Sequence, residues 1–307
     1  MGKDIYDEFA VAREVIDEAD SVVGGGLKTL MFEGPQPQLT LTSNAQPAIL
    51  AHSIALFRVL EKEYGSPLKN CEYVMGHSLG EYTALVATSS LKLEDAVRLV
   101  KLRGETMQQT TKDVKTIMQA LVIKGNHLHE IEALMAKIQI NLPAGEVAEI
   151  ANINSRKQIV LSGTVDGIEN ATSLIQSKGY SGRAVTLPVS APFHCRLMAP
   201  AAELMKNALM ATNFKLPQVE VISNVTARPF DNAGEIGYLL YRQIAETVQW
   251  YRSLQYAFHD EVHEFVCIGP SKALSNLLKK DHPELTSRSI CDIDDIRAFG
   301  KLLAERP

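Results

Sequence analysis

No part of the 307-residue sequence has the run of about 20 apolar residues that a bilayer-spanning helix needs; the uncharged stretch 35–57 is interrupted by Gln, Ser, Thr, Asn, His and Pro. A membrane span is therefore not expected. Dense basic runs are also missing. Lys and Arg number 31 against 36 Asp and Glu, a formal charge of −5, which argues against a nucleic-acid backbone as the main partner. The four cysteines, Cys71, Cys195, Cys267 and Cys291, form no CxxC pair, so neither a zinc ribbon nor a disulfide framework is indicated and a reducing compartment fits. The sequence has no internal repeat and no low-complexity tract. Its N-terminus has neither a signal peptide nor an Arg-rich transit segment. What remains is 46% hydrophobic and 22% charged with a mean hydropathy of −0.04, the composition of a globular protein of one large domain or a large one with a small one.

Residues 1–20 read as one amphipathic helix and 46–64 as a second, followed by a short buried strand at 71–75 and helices at 79–88 and 93–109, the last with Glu94 and Asp95 in its first turn. From about residue 115 the texture changes. An apolar run at 117–123, a helix at 129–138, strands near 147–153 and 158–161, a helix at 165–178 and a strand at 183–189 give the order β-α-β-β-α-β of a small ferredoxin-like unit. Helix and strand alternation resumes after Pro192. The reading is an α/β protein: a large α/β-hydrolase-like domain with a parallel sheet, residues 1–114 and 190–307, carrying an inserted ferredoxin-like domain at 115–189.

The most informative residues are Gly76-His77-Ser78-Leu79-Gly80, a GxSxG between the strand CEYVM and the helix EYTALVA. A serine on a tight strand-to-helix turn has an exposed hydroxyl, and the helix start points N–H groups at any oxyanion formed there. A bare GxSxG is common by chance; the strand, turn and helix around it carry the catalytic reading over a merely structural turn. Its hydroxyl needs a base. His77 should point away from Ser78 and line the pocket. His127 and His129 read as solvated, and His259 and His263, in HDEVH, read as surface helix positions because Asp260 stands where a zinc helix needs glutamate. His282, in KKDHPE, suits an exposed turn. His194 follows TLPVSAPF, where Pro188 and Pro192 keep the chain out of helix at the return to the large domain, which places it at the cleft. Arg103, amid apolar Val97, Leu99 and Val100, reads equally as an ordinary helix arginine. Gly24-Gly25-Gly26 lacks GxGxxG, GxxxxGK and HGGG patterns and is read as a loop between helices.

Taken together, GHSLGEYTALVA, LRGETMQ, VSAPFH, VQW and IGP resemble the malonyl-CoA:acyl carrier protein transacylase family across nearly the whole chain. The resemblance implies ping-pong transfer of malonyl from malonyl-CoA to the phosphopantetheine thiol of acyl carrier protein through a malonyl-Ser78 ester, in fatty acid biosynthesis. It further implies His194 as base and acid, oriented by a backbone carbonyl that maps to Gln249, and the Leu79 N–H as an oxyanion donor. Arg103 would pair with the malonyl carboxylate, while Phe193, Met107, Gln46, His77 and Asn154 map to the pocket or the cleft beside it. Arg196, Lys272, Lys279 and Lys280 are candidates for docking the acidic carrier protein. No metal and no prosthetic group are implied, because serine–histidine acyl transfer needs none.

One departure stands out: the family's N-terminal PGQGSQ segment, with its first strand and second oxyanion donor, has no counterpart, and Met1-Gly2-Lys3-Asp4 aligns just after it. A mis-called start or a trimmed chain is the expectation there. Competing readings are a serine esterase or thioesterase, which needs no cation in its acyl pocket, and a catalytically impaired, carrier-binding fragment. The resemblance points to a stand-alone, monomeric enzyme of the mitochondrial matrix, with the bacterial cytoplasm as the runner-up.

Overall fold

The computed structural model describes residues 1–110 and 114–305. The residues just before the expected domain limit, 111–113, and the last two of the large domain, 306–307, lie outside them. The fold is organised around the helix Thr42–Tyr64, in which Leu50, Ala51, Ile54, Leu56 and Leu60 are all buried. A helix apolar on every side cannot lie on a surface. It is accordingly enclosed by the helices Ala10–Val22, Gly80–Ala87, Leu93–Thr110 and Ile293–Ala304.

The strands are β1 (Tyr73–Met75), β2 (Thr116–Ile123), β3 (Ala148–Ser155), β4 (Gln158–Thr164), β5 (Ser181–Thr186), β6 (Glu220–Ile222), β7 (Glu264–Ile268) and β8 (Thr286–Ile290). β1 pairs in parallel with β6, and β7 in parallel with β8. The expected parallel sheet is thus present, among the described residues, as two separate two-stranded pairs. The other four strands form one antiparallel sheet in the order β3-β4-β2-β5. On one face the helices Leu128–Asn141 and Val165–Ser177 close a core of their own around Leu121, Ile131, Ile159, Leu161 and Ile168. On the other, Met118, Ala151 and Val160 pack against Leu187 and Phe193, so the sheet braces the segment that leads into His194. A backbone bridge joins it to the chain beyond residue 243: Val248 N–H donates to the Ala151 carbonyl at 2.8 Å, and Ile153 N–H to the Val248 carbonyl at 3.0 Å.

Two local expectations need correction. The N-terminal helix is two, Lys3–Glu8 and Ala10–Val22, because Phe9 turns extended (φ −108°, ψ 127°) and packs its ring on the core. The first strand is shorter than 71–75, since Cys71 still donates back to the Leu68 carbonyl in a turn. Gly24-Gly25-Gly26 does join two helices, and all three adopt positive φ. Among the described residues no helix is long and apolar enough to cross a membrane.

Candidate active site

Ser78 sits between β1 and the helix Gly80–Ala87 with φ 56°, in the left-handed region that non-glycine residues seldom occupy. The turn is tight enough that a Cβ on Gly76 would stand 1.8 Å from the Gly80 carbonyl oxygen, so only glycine fits there. Asn224, just after β6, braces it from below: its Oδ1 accepts the Ser78 N–H at 2.7 Å and its Nδ2 donates to the Gly76 carbonyl at 2.8 Å. The N–H groups of Gly80, Glu81 and Tyr82 fold back onto the carbonyls of residues 77 to 79, which leaves the Leu79 N–H outside that ladder at the helix start.

His194 is buried, also at positive φ (58°), and its Nε2 lies 2.8 Å from Ser78 Oγ. Its Nδ1 lies 2.8 Å from the backbone carbonyl of Gln243. A carbonyl only accepts, so Nδ1 carries the proton and Nε2 offers its lone pair to the Ser78 hydroxyl. The orienting carbonyl is therefore Gln243's and not Gln249's. Gln249 starts the helix Trp250–His259, and its carbonyl is taken by the N–H and hydroxyl of Ser253. Burial, and after it the positive charge of Arg103, pushes the His194 imidazole down to about 3, against the opposing pull of the Gln243 carbonyl.

Arg103 is only 2% exposed, and it is not the surface arginine its helix alone would allow. Nη1 donates to Gln46 Oε1 at 2.8 Å; Nη2 donates to Gln243 Oε1 at 2.8 Å and to Ser78 Oγ at 3.1 Å. Its Nε–H is buried without a partner among the described residues, so the guanidinium holds a donor in reserve. Gln46 is fixed in turn by Thr42 Oγ1, at 2.9 Å, and rests on the Met107 sulfur. His77 points away from Ser78: its Nε2 meets Asn154 Oδ1 at 3.0 Å and its ring lies against Trp250. That contact ties the elbow to the end of β3. Phe193 is half-buried between the main core and the antiparallel sheet.

The site opens onto a cleft of about 900 Å³ lined by His194, Arg196, Glu149, Ile153, Glu246 and Gln249 among others, between the antiparallel sheet and the rest of the chain. His194 connects that cleft to Ser78, where imidazole and guanidinium converge on the hydroxyl oxygen. That arrangement can form an ester on Ser78 Oγ beside a fixed cation, which suits an acyl donor carrying its own negative charge.

Comparison with known proteins agrees with the chemistry. An acyl transferase domain model matches residues 1–302. The malonyl CoA-acyl carrier protein transacylase of Bacillus subtilis (strain 168) is 37% identical over 305 residues, 99% of this chain and 93% of that protein. The crystal structure of an acyl-carrier-protein-S-malonyltransferase from Bartonella henselae superposes with a TM-score of 0.90 at 36% identity, covering 99% of this chain and 94% of the other. A malonyl-transacylase in complex with its type II PKS acyl-carrier protein superposes at 0.89 with 31% identity, covering 98% and 94%. The chain belongs to the malonyl CoA-acyl carrier protein transacylase family. Its mixed α/β fold with parallel strand pairs is that of these acyltransferases.

Within this transacylase the remaining sequence-derived candidates are scattered. Arg196 is at the cleft, but its side chain and N–H are both engaged by Glu149. Lys272 begins the helix Ala273–Asp281 and Lys279 and Lys280 end it, all exposed. His282 is not in an exposed turn: its ring packs edge-on against Phe258 and its Nδ1 meets Glu284. His127 stacks on Tyr180, and His263 lies past the end of its helix. Three residues that join the site had drawn no notice from the sequence: Gln243, Asn224 and Glu81. A glutamate inside the apolar run GEYTALVA was the available signal, because a charged side chain seldom enters a core without a partner.

Proposed function

We propose that this chain transfers malonyl from malonyl-CoA to the phosphopantetheine thiol of acyl carrier protein by way of a malonyl-Ser78 ester. The observation that carries the reading is the Arg103 guanidinium 3.1 Å from Ser78 Oγ, in a site where His194 already serves the hydroxyl. His194 Nε2 takes the Ser78 proton as Oγ attacks the thioester carbonyl, and returns it to the departing CoA sulfur. In the second half the carrier thiol gives its proton to the same nitrogen and attacks the ester carbonyl; the bond to Ser78 Oγ breaks, and His194 returns the proton to that oxygen, which restores the free serine. The Leu79 N–H and the adjoining helix start face the developing oxyanion. Arg103 pairs with the malonyl carboxylate, with Gln46 and Met107 shaping its pocket and Phe193 limiting bulk beside the acyl α-carbon. A plain esterase has no use for a buried cation there, and the serine hydrolase alternative is set aside on that ground.

The division into a large part, 1–114 and 190–307, and an inserted part, 115–189, is supported by the separate core of the antiparallel sheet. The bacterial origin of the relatives favours the bacterial cytoplasm over the mitochondrial matrix. Carrier docking by a monomer is assigned to Lys272, Lys279 and Lys280, none of which is in an ion pair among the described residues, with Arg196 held in its pair with Glu149 until an acidic partner competes for it. Charge reversal of Lys279 and Lys280 is expected to raise KM for carrier protein about 3- to 10-fold at low salt, with little change in Ser78 acylation and a smaller gap at high salt. Stopped assays against carrier concentration at two ionic strengths check it.

The deciding experiment mixes the protein with malonyl-CoA and holo acyl carrier protein and follows both malonyl-carrier and free malonate. Carrier loading that outruns malonate release supports the transferase; the reverse ratio returns the esterase reading. Absence of both would leave a carrier-binding protein without chemistry.

The pH dependence of acylation separates the titrating groups. The base must be neutral, and burial together with Arg103 holds His194 near 3, so kcat/KM should show no acid limb at the usual histidine value of about 6.5. Burial pushes the buried Glu81 carboxyl up to about 7, so a limb found there belongs to Glu81 and should vanish in Glu81→Gln. Arg103→Met removes a charge that lowers His194 and should move the histidine limb upward. Rapid-quench acylation rates between pH 4 and pH 8, chosen to span about two units around the ordinary histidine value, distinguish these outcomes.

A further inference from the structure

We propose that Glu81 is a positioning residue for the malonyl pocket, fixing the Gln243 side-chain amide and through it the Arg103 guanidinium beside Ser78. The inference rests on the malonyl-transfer reading and deepens it. Glu81 is fully buried one turn after the nucleophile, and its Oε2 accepts the Gln243 Nε2–H at 2.7 Å and the Asn224 N–H at 3.3 Å. Gln243 Nε2 also donates to the Ser78 carbonyl at 2.9 Å, its Oε1 accepts Arg103 Nη2 at 2.8 Å, and its backbone carbonyl holds His194. One glutamine thus touches the nucleophile's backbone, the base and the cation.

An amide can be turned either way about its last bond, and the neighbours decide which. On one side of Gln243 stand acceptors, the Glu81 carboxylate and the Ser78 carbonyl; on the other stands a guanidinium that only donates. Turning the amide over would set its oxygen against the carboxylate and its NH₂ against Arg103. Glu81, at the shorter of the two distances, therefore joins the Ser78 carbonyl in holding the orientation that gives Arg103 its acceptor. Its second link, through Asn224, reaches the residue that braces Ser78 and Gly76. The other groups that face this carboxyl are Arg103, Tyr82 and Ser223, while His194 meets the backbone carbonyl of the glutamine it holds. Burial raises the carboxyl while the hydrogen bonds and Arg103 oppose that rise, so it sits where its charge responds to the site.

The test uses Glu81→Met, which removes the acceptor at similar length, Glu81→Gln, which keeps an amide oxygen there, and Gln243→Leu, which removes the relay. Two quantities are read: the ratio of Ser78 acylation rates with malonyl-CoA and acetyl-CoA, and the concentration of free malonate that protects Ser78 from a fluorophosphonate. Glu81→Met is expected to lower the malonyl-to-acetyl ratio about tenfold and to weaken malonate protection to match, while Glu81→Gln stays within about threefold of the parent. Gln243→Leu should reproduce the loss, and adding Glu81→Met to it should cost nothing further. Equal losses for both donors, no loss in Glu81→Met, or a Gln243→Leu protein that keeps its ratio while Glu81→Met loses it would each overturn the proposal. If Glu81→Met does not fold, Glu81→Asp, whose carboxylate falls one methylene short of Gln243, is held to the same expectations. A parent protein that malonyl-CoA does not acylate removes the transfer reading, yet malonate protection still decides whether Glu81 holds Arg103.

Discussion

Ser78→Ala is expected to form no malonyl adduct in intact-mass spectrometry and to lower malonyl transfer to carrier protein by on the order of 10⁴-fold or more, since it removes the hydroxyl on which His194 and Arg103 converge. Loss of activity alone would be weak support, because the same substitution touches the fold. Ser78 has φ 56°, and alanine there has a Cβ in the left-handed region without the hydroxyl that meets His194 and Arg103. Ser78→Gly relieves that strain and should be the more stable of the two by about 1 kcal/mol, seen as a higher Tm, while being equally dead. If the glycine variant recovers acylation, the acyl acceptor is another group and the Ser78 assignment fails. The covalent step and the shape of the turn are thereby measured separately.

Most of the site was legible in the sequence because its chemistry is local. GHSLG must follow a strand and open a helix to expose its serine, and both flanking patterns were readable from their apolar spacing. His194 was reachable because two prolines and a return from an inserted unit placed it at a cleft. The carbonyl partner of its Nδ1 was not legible, for a physical reason: every residue has a carbonyl, so a backbone acceptor leaves no mark on side-chain identity. Gln243 and Gln249 lie on one segment, and only the helix start at Trp250 shows that the Gln249 carbonyl is spoken for. Arg103 presents the opposite case. Its place on a helix was legible and its burial was not, because a helix's pattern cannot say that the side facing Gln46 and Gln243 is closed over by other parts of the chain. The expected parallel sheet was read as one body from alternation alone, and alternation is silent on whether pairs adjoin.

Arg103→Met is expected to lower kcat/KM for malonyl-CoA about 100-fold while changing that for acetyl-CoA by less than about 3-fold, measured as Ser78 acylation rates with the two donors. The figure follows from two charge-assisted hydrogen bonds to the malonyl carboxylate at about 1.5 kcal/mol each, roughly 3 kcal/mol together. The structure adds a reason for the asymmetry between donors. Arg103 is buried, held by two amide oxygens and the Ser78 hydroxyl, and among the described residues it has no ion-pair partner and its Nε–H no hydrogen-bond partner. A guanidinium in that state has lost water and gained only part of its replacement, and burial lowers its pKa accordingly. A malonyl carboxylate completes the set; an acetyl group leaves the deficit as it was, so it gains nothing from the arginine and loses nothing without it. Arg103→Lys should fall between, because an ammonium can meet the carboxylate as a point charge and cannot at the same time span Gln46 and Gln243 as the planar fork does. Should Arg103→Met lose both donors equally, the guanidinium would be serving Ser78 Oγ, 3.1 Å away, rather than the substrate, and donor selectivity would have to be sought in the shape of the pocket around Phe193 and Met107.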